Sequence, residues 1–317
     1  MRSRVHPEAE LLARSEDHGG HRSGDPDAQG LVISPRSRFL SVLLLSSLGF
    51  AILFAEPIRL LVRDWWTDPE AGHGLLLAPV ALWLAWRHRL TTVATPNRGW
   101  GLGLLSAAIL LRYVSGLAAE LFTMRMSVVL ALAGLTAYYL GLRQLRVWWL
   151  PFTLLVLSVP LPEVVRGSIT LPLQFRASRI GAALLEWRGV PVRLSGNIIE
   201  LPGRRLFVTE ACSGLRSLMA LCSVSVLIGA LVLRTWAGRL VLLAGAVGVA
   251  IGINAIRVFL TGFLVVFVNP QFGDGFLHLS EGWLMFVVSL ALMAGCAWTL
   301  GRLEQIGVPR RSPEVAR

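Results

Sequence analysis

Long runs of apolar residues constrain the fold of this chain more than any other feature of its sequence. Several runs are close to 20 residues long and carry few charges, which is the length that an α-helix needs to cross the hydrocarbon core of a bilayer. The second run is short, and only a segment with Arg143 and Arg146 separates the fourth from the fifth. The predicted spans are residues 38–56, 73–88, 100–118, 126–142, 147–162, 211–233, 237–257 and 279–300.

The composition agrees with a membrane protein and excludes several other classes. Hydrophobic residues make up 54% of the 317 residues and charged residues only 15%, whereas about a quarter of a soluble domain is charged. The net charge of +11 comes entirely from arginine, and no basic and aromatic patch lies outside the apolar pattern, so nucleic acid is not an expected partner. Cys212, Cys222 and Cys296 lack metal-ligand spacing, so we expect no disulfide framework, no metal and no other cofactor.

The two ends of the chain are polar. Residues 1–36 are rich in Arg, Gly, Ser, Pro and Asp and are predicted to form a disordered cytoplasmic tail. Residues 37–303 are predicted to form a single membrane-embedded domain, and 304–317 a second cytoplasmic tail. No small-residue cleavage site follows 39–55, so this segment is interpreted as an anchor that is retained.

The distribution of arginine orients the predicted spans. With the N-terminus inside, most arginines fall in cytoplasmic segments and few in short outer loops, as the positive-inside rule requires. The arginine-rich stretch 163–210 is the exception and falls outside. Within it, 168–188 resembles an amphipathic helix on the membrane surface, and 190–209 alternates like a small β-hairpin. The predicted fold class is therefore an all-α polytopic membrane protein with about eight spans and this small extracytoplasmic addition.

The predicted orientation brings three chemically useful residues to the outer face. Cys212 lies at the outer end of span six, Arg257 at the outer end of span seven and His278 at the start of span eight. The apolar stretch 258–268 is too short to cross and return, so we expect it to lie along the outer face or re-enter it. A cysteine, an arginine and a histidine that are distant in sequence are therefore expected to converge.

These residue types suit nucleophilic catalysis. A histidine can accept the proton of a thiol and return it to a leaving amine, and a helix N-terminus favours the thiolate. An arginine can stabilise a thiolate or an oxyanion. An arginine at membrane depth costs about 2.5–3.5 kcal/mol on insertion scales, which suggests function, although Arg257 near a helix end could also snorkel.

Several motifs resemble the exosortase/archaeosortase family over about residues 60–300. Glu210-Ala211-Cys212-Ser213-Gly214 is the most specific of them in this membrane context. The others are Asn254-Ala255-Ile256-Arg257, His278, the Trp65 to His73-Gly74 block, Pro160-Leu161-Pro162 and Gly196-Asn197-Ile198-Ile199-Glu200-Leu201-Pro202.

The resemblance implies a cysteine transpeptidase of the inner membrane with Cys212, Arg257 and His278 as catalytic residues. Its substrates would be membrane-tethered proteins with a C-terminal sorting signal, made of a short motif such as Pro-Glu-Pro, an apolar helix and a basic tail. The enzyme would form an acyl-thioester, which an unidentified acceptor nucleophile would resolve. The other partner is the lipid bilayer.

Further residues are candidates for supporting roles. Glu210 precedes the cysteine, and Arg216 follows it by one turn, where it could tune the thiolate or contact lipid phosphate. Asn254 could bond across helices or orient Arg257. His73 could cap its helix or contact substrate, and Glu281 could orient His278 or cap.

Two alternatives remain open at the level of sequence. The same site could belong to a protease in which water resolves the thioester. The chain could also be a transporter or a polysaccharide-export component, although inverted repeats, broken helices and polar groups at the bilayer midplane are not evident.

Overall fold

The structure is a computed structural model that describes the backbone of residues 35–88, 94–208, 214–269 and 275–306. Side chains are described over the same ranges except 35–39 and 275–281. The chain divides into two compact units, Met1–Gly49 and Phe50–Arg317. Within the first unit, the described residues are the beginning of one helix. Of the predicted tails, residues 1–34 and 307–317 lie outside the described residues, and Pro35 begins a helix.

Ten helices and one small sheet make up the described part of the chain. The strands are β1 (Arg193–Ser195), β2 (Ile198–Leu201) and β3 (Arg204–Phe207), in the order β1-β2-β3. The helices are α1 (Pro35–Thr67), α2 (Gly74–Arg87), α3 (Arg98–Leu117), α4 (Leu121–Tyr139), α5 (Leu142–Val147), α6 (Trp149–Leu157), α7 (Glu163–Trp187), α8 (Leu215–Val232), α9 (Trp236–Phe267) and α10 (Gly275–Ile306).

Six helices in the described part are long and apolar enough to cross a membrane, so the chain is a multi-pass membrane protein. They lie in α1, α3, α4, α8, α9 and α10. The predicted second span is the 14-residue helix α2. The predicted fifth span, 147–162, contains only the nine-residue helix α6, and α5 is the segment with Arg143 and Arg146 that precedes it. Pro160 and Pro162 explain the early end of α6, because proline cannot continue a helix and restricts the residue before it.

The two short helices α2 and α6 pack against each other in opposite directions. Leu77, Leu84 and Leu154 belong to the buried cluster between them. At one end the Nε2 atom of His73 lies 3.1 Å from the carbonyl oxygen of Leu157. At the other end the Trp148 indole N–H donates to the carbonyl oxygen of His88 at 3.1 Å.

These contacts define two ends of the helical bundle. The end of α1, the start of α4 and the end of α6 lie with His73, because the Trp65 indole donates to the carbonyl oxygen of Ser158 at 2.7 Å and Arg125 pairs with Asp64. We call this the Trp65 end. The opposite end, the Trp236 end, brings the ring of Trp236 at the start of α9 to 5.4 Å from that of Trp149.

Helix α7 buries a stripe of mostly small residues against α9. The buried positions recur every three or four residues, as one face of a helix requires. A β-carbon added to Gly181 would lie only 2.7 Å from Val258 Cγ1, so the two helices approach closely. The buried residues of this face are Thr170, Leu173, Gln174, Ala177, Ser178, Gly181, Ala182 and Leu185.

The sheet covers the remaining apolar surface of this region. All three strands pair antiparallel, so residues 193–207 form three strands where the sequence suggested a two-stranded hairpin. Ile199 and Leu201 are buried with Val208 in the cluster that includes Leu185 and Val265. Gly196 and Gly203 occupy the two turns with φ of +64° and +76°, a conformation that glycine adopts readily.

The expectation for residues 258–268 was wrong. This stretch neither lies along the membrane face nor re-enters it as a separate segment, because α9 continues without a break to Phe267. At 1.5 Å per residue its 32 residues extend about 48 Å, more than the roughly 30 Å of a hydrocarbon core. The excess helix is covered because Val258 and Val265 pack against α7 and the sheet.

Candidate functional site

The five residues 209–213, including Glu210 and Cys212, lie outside the described residues. The residues on either side, Val208 and Gly214, nevertheless make close contacts with the rest of the protein. Val208 donates its N–H to the carbonyl oxygen of Asn197 at 3.0 Å, and its own carbonyl oxygen accepts from the Asn197 side chain at 3.1 Å. The turn between β1 and β2 therefore positions the residue at which the nucleophile segment begins.

Gly214 holds the other end of the segment. It precedes α8 with φ +83°, in the left-handed region. A β-carbon at this position would lie 2.8 Å from Cγ of Asn254. Only glycine therefore satisfies both the backbone conformation and the close approach.

Asn254 and Arg257 lie one turn apart on α9. Asn254 is 6% exposed and faces Gly214. The guanidinium group of Arg257 lies against Gly282 of α10, where an added β-carbon would be 3.3 Å from an Arg257 terminal nitrogen. We call Gly214, Asn254, Arg257 and Gly282 the glycine-contact group.

His278 lies one helical turn before Gly282 on α10. Its backbone is helical, and its side chain lies outside the described residues, as does that of Glu281. The glycine-contact group therefore brings the start of α8, the Asn-x-x-Arg pair of α9 and the His278 turn of α10 to one place.

The supporting residues occupy different surroundings. Arg216 is exposed on the first turn of α8, next to the buried Leu215. Half-buried Cys222 packs with the cluster around Leu221, and Cys296 is exposed. Both are cysteines within long apolar helices, away from the start of α8.

The His73 side chain connects two helices and does not cap α2. It precedes α2 but makes no side-chain capping bond. Its Nδ1 lies 3.0 Å from the carbonyl oxygen of Glu70 and its Nε2 lies 3.1 Å from that of Leu157. Gly74 follows because the Trp65 indole occupies the space of a side chain: an added β-carbon would lie 2.1 Å from Trp65 Nε1. The spacing of Trp65, His73 and Gly74 thus reflects one region of contact between α1, α2 and α6.

A cavity of about 450 Å³ lies at the Trp65 end. His73 and the loop 159–162 form part of its wall, and Leu215 and Met219 of α8 form another part. Leu215 is three residues after Cys212, so the cavity extends to the first turn of the nucleophile helix. Its described lining holds five carboxylates and two arginines, and we call it the carboxylate cavity. The carboxylates are Asp64, Asp68, Glu70, Glu120 and Glu163, and the arginines are Arg125 and Arg166.

Two ion-pair systems organise these charges. Arg125 is 7% exposed and pairs with Asp64. Arg166 pairs with Glu163, lies 3.2 Å from a Glu70 carboxylate oxygen and lies 3.8 Å from one of Asp68. Arg166 thereby joins the first turn of α7 to the loop that carries His73.

Glu120 begins α4 and keeps its charge at the cavity wall. Its carboxylate accepts from the backbone N–H of Phe122 at 3.1 Å and of Thr123 at 2.7 Å, and from the Thr123 hydroxyl. Burial acts to raise the pKa of Glu120, but these hydrogen bonds and the nearby Arg125 lower it below its usual value. Within the described part of the chain, no group of three His, Cys, Asp or Glu side chains is arranged to hold a metal ion.

Sequence reasoning did not identify the carboxylate cavity. It placed Arg125 in a short outer loop and Arg166 in the arginine-rich outer stretch 163–210, before the predicted surface helix. The available signal was the presence of Asp64, Asp68 and Glu70 next to the Trp65 motif, in a chain with few acidic residues.

Comparison with known proteins gives one match. The family model described as transmembrane exosortase (Exosortase_EpsH) matches residues 65–295. The matched segment begins at Trp65 and includes Cys212, Arg257 and His278. No curated protein and no solved structure matches the chain.

Proposed function

The chain belongs to the transmembrane exosortase family, and on that premise we propose that it is a cysteine transpeptidase. It cleaves a C-terminal sorting signal from membrane-tethered proteins and transfers the remaining protein to an acceptor. The observation that carries this proposal is the glycine-contact group. Gly214 meets Asn254 and Arg257 meets Gly282, so three separate motifs share one site.

The proposed chemistry assigns one role to each residue. The Cys212 sulfur attacks the scissile carbonyl carbon after His278 accepts the thiol proton. Arg257 stabilises the oxyanion of the tetrahedral intermediate and, before attack, the thiolate. His278 then protonates the leaving amine, and the acyl group stays on Cys212 as a thioester. Asn254 sets the distance between α8 and α9, and Arg216 and Glu210 are secondary candidates for tuning the thiolate.

We propose further that the active site faces outwards from the inner membrane and that the N-terminus is cytoplasmic. Helices α2 and α6 each connect the Trp65 end with the Trp236 end, which supports eight passes although two helices are short. Arginines next to the Trp236 end support its cytoplasmic placement by the positive-inside rule. They are Arg87, Arg146, Arg234, Arg239 and Arg302. The Trp65 end, with the cavity and the start of α8, is then extracytoplasmic.

A processing assay tests the activity. The substrate is a tagged protein from the same genome that ends in a short motif, an apolar helix and an arginine cluster. Co-reconstituted with the wild-type enzyme, it should lose its C-terminal segment, whereas Cys212→Ala should leave it intact. Product mass separates transfer from hydrolysis, because water adds only its own atoms to the new C-terminus. Cleavage by Cys212→Ala would refute the mechanism.

Thiol labelling tests the proposed side of the membrane. A membrane-impermeant maleimide added outside sealed spheroplasts should label Cys212 and not Cys222 or Cys296. The Cys212→Ser variant is the matched control and should lose the signal. Labelling of Cys212 that requires opening the membrane would place the site in the cytoplasm.

A further inference from the structure

We infer that the carboxylate cavity binds the acceptor and that the acceptor is a primary amine. This inference adds to the proposed function and rests on it, because the protein needs an acceptor only if it is a transpeptidase. It rests on three features of the described residues: the charge of the cavity lining, its place beside α8, and an unmatched buried donor.

The charge balance of the cavity selects the class of ligand. Its described lining has an excess of three negative charges, before any charge on His73 is counted. Arg125 and Arg166 are already surrounded by carboxylates. A carboxylate or phosphate entering alone would therefore meet repulsion, whereas an ammonium group would find several acceptors.

The position of the cavity selects the role of the ligand. Leu215 and Met219 belong to both the cavity wall and the helix that begins beside Cys212. A ligand in the cavity can therefore approach a thioester on Cys212. The rest of the described wall comes from α1, α4, α7 and the loops that precede α2, α4 and α7, and none of it comes from α9.

Arg125 supplies an observation that does not depend on the acidic groups. Its Nε–H is buried and has no acceptor among the described residues, and the side chain is 7% exposed. A buried donor without an acceptor is unfavourable, and an oxygen brought by a ligand would relieve this. An amine that carries a nearby hydroxyl or phosphate oxygen offers both an ammonium and such an acceptor.

The transfer step balances without any further reagent. A cavity carboxylate or water takes one proton from the ammonium group, and the free amine attacks the thioester carbonyl carbon. A C–N bond forms, the C–S bond breaks, and a second proton from nitrogen passes through His278 to the departing thiolate. The acyl-thioester and R–NH3⁺ thus yield an amide, the free Cys212 thiol and one H⁺. The amine can come from a free small molecule or from a lipid headgroup.

A binding experiment tests the site without turnover. Ethanolamine and its neutral analogue ethylene glycol are titrated onto the full-length Cys212→Ala protein in detergent, with saturation-transfer NMR as the readout. The double variant Asp68→Asn/Glu163→Gln removes two charges but keeps the shape and the oxygen acceptors. It should weaken ethanolamine binding about tenfold. Glu200→Gln, a carboxylate on β2 that pairs with Arg205 outside the cavity, is the matched control and should have no effect.

Equal binding of ethanolamine and ethylene glycol would overturn the proposal. So would ethanolamine binding that the double variant leaves unchanged. The experiment measures binding to a protein that lacks the proposed nucleophile. Its interpretation therefore does not depend on whether the wild-type protein has the proposed peptidase activity.

A second experiment identifies the source of the amine. Wild-type enzyme and tagged substrate are reconstituted in vesicles with ethanolamine headgroups, or in vesicles with glycerol headgroups plus free ethanolamine. The product mass distinguishes a lipid amide, an ethanolamide and a hydrolysed chain. We expect an amide whose proportion falls in Asp68→Asn/Glu163→Gln and not in Glu200→Gln. Cleavage that yields only the hydrolysed chain under both conditions would exclude an amine acceptor.

Discussion

The glycine-contact group and the carboxylate cavity are built in opposite ways. The first depends on missing side chains, because Gly214 and Gly282 let Asn254 and Arg257 approach neighbouring helices. The second depends on charged side chains that neutralise one another in part, such as Arg125 with Asp64. Close packing can thus place a few proposed reacting groups precisely, whereas the proposed recognition of a charged ligand would depend on the field of many groups.

Removal of His278, the proposed acid–base group, should have the largest effect. We expect His278→Ala to lower processing roughly 10²–10⁴-fold, the usual contribution of a general acid–base residue. Single-turnover cleavage of the tagged substrate is the measurement, and the pH profile should lose its histidine-dependent limb. A loss of less than about tenfold would assign the proton transfer to another residue.

Replacing Arg257 by lysine should reduce turnover by about 10²-fold although the charge remains. The reason is that an ammonium group cannot reproduce the planar, forked donors of a guanidinium. Arg239→Lys, an arginine at the start of the same helix, is the matched control and should retain activity. Near-normal turnover of Arg257→Lys would shift attention to Arg216.

Replacing each glycine of the glycine-contact group by alanine should reduce turnover to a different extent at the two positions. Gly214→Ala should lower turnover about tenfold, because alanine in a left-handed conformation costs about 1–2 kcal/mol and the methyl group displaces Asn254. Gly282→Ala should have a smaller effect, since its methyl group would meet the movable end of Arg257 at 3.3 Å. Turnover of the two variants is measured in the same assay. A larger loss in Gly282→Ala than in Gly214→Ala would contradict the prediction.

The buried Arg125–Asp64 pair of the cavity should contribute mainly to stability. Asp64→Asn removes the carboxylate that pairs with the buried Arg125 and should lower the free energy of unfolding by about 1–3 kcal/mol, a value reduced for the partial exposure of Asp64. Thermal unfolding in detergent measures it. Glu56→Gln, from an ion pair with Arg112 in which Glu56 is largely exposed, should change stability by less than about 1 kcal/mol. Equal changes in the free energy of unfolding in Asp64→Asn and Glu56→Gln would show that burial of the Arg125–Asp64 pair does not add to stability.

Much of the glycine-contact group could be predicted from sequence. Gly214, Asn254 and Arg257 stand in recognisable motifs, although Arg257 was expected at the outer end of its span and lies ten residues before the end of α9. Even the turn glycines Gly196 and Gly203 mark the sheet that leads into residue 209. Such features are local, because backbone conformation and membrane crossing depend on neighbouring residues.

The carboxylate cavity could not be predicted in the same way. Arg166 contacts Glu70 across 96 positions of sequence, and no periodicity connects residues that far apart. The length of the predicted fifth span was also misjudged, because apolar composition does not show that α6 ends at Leu157, before Pro160.

The amino-acid sequence by itself determined the membrane environment, the helical class, the family and the identity of the candidate catalytic residues, since each depends on composition or on short motifs. Only the tertiary structure decided that α9 continues to Phe267, that Arg257 lies against Gly282, and that Asp64, Arg125 and Arg166 share a cavity beside α8. The physical reason is that these features arise from contacts between helices, and close packing and ion pairing depend on where distant segments meet.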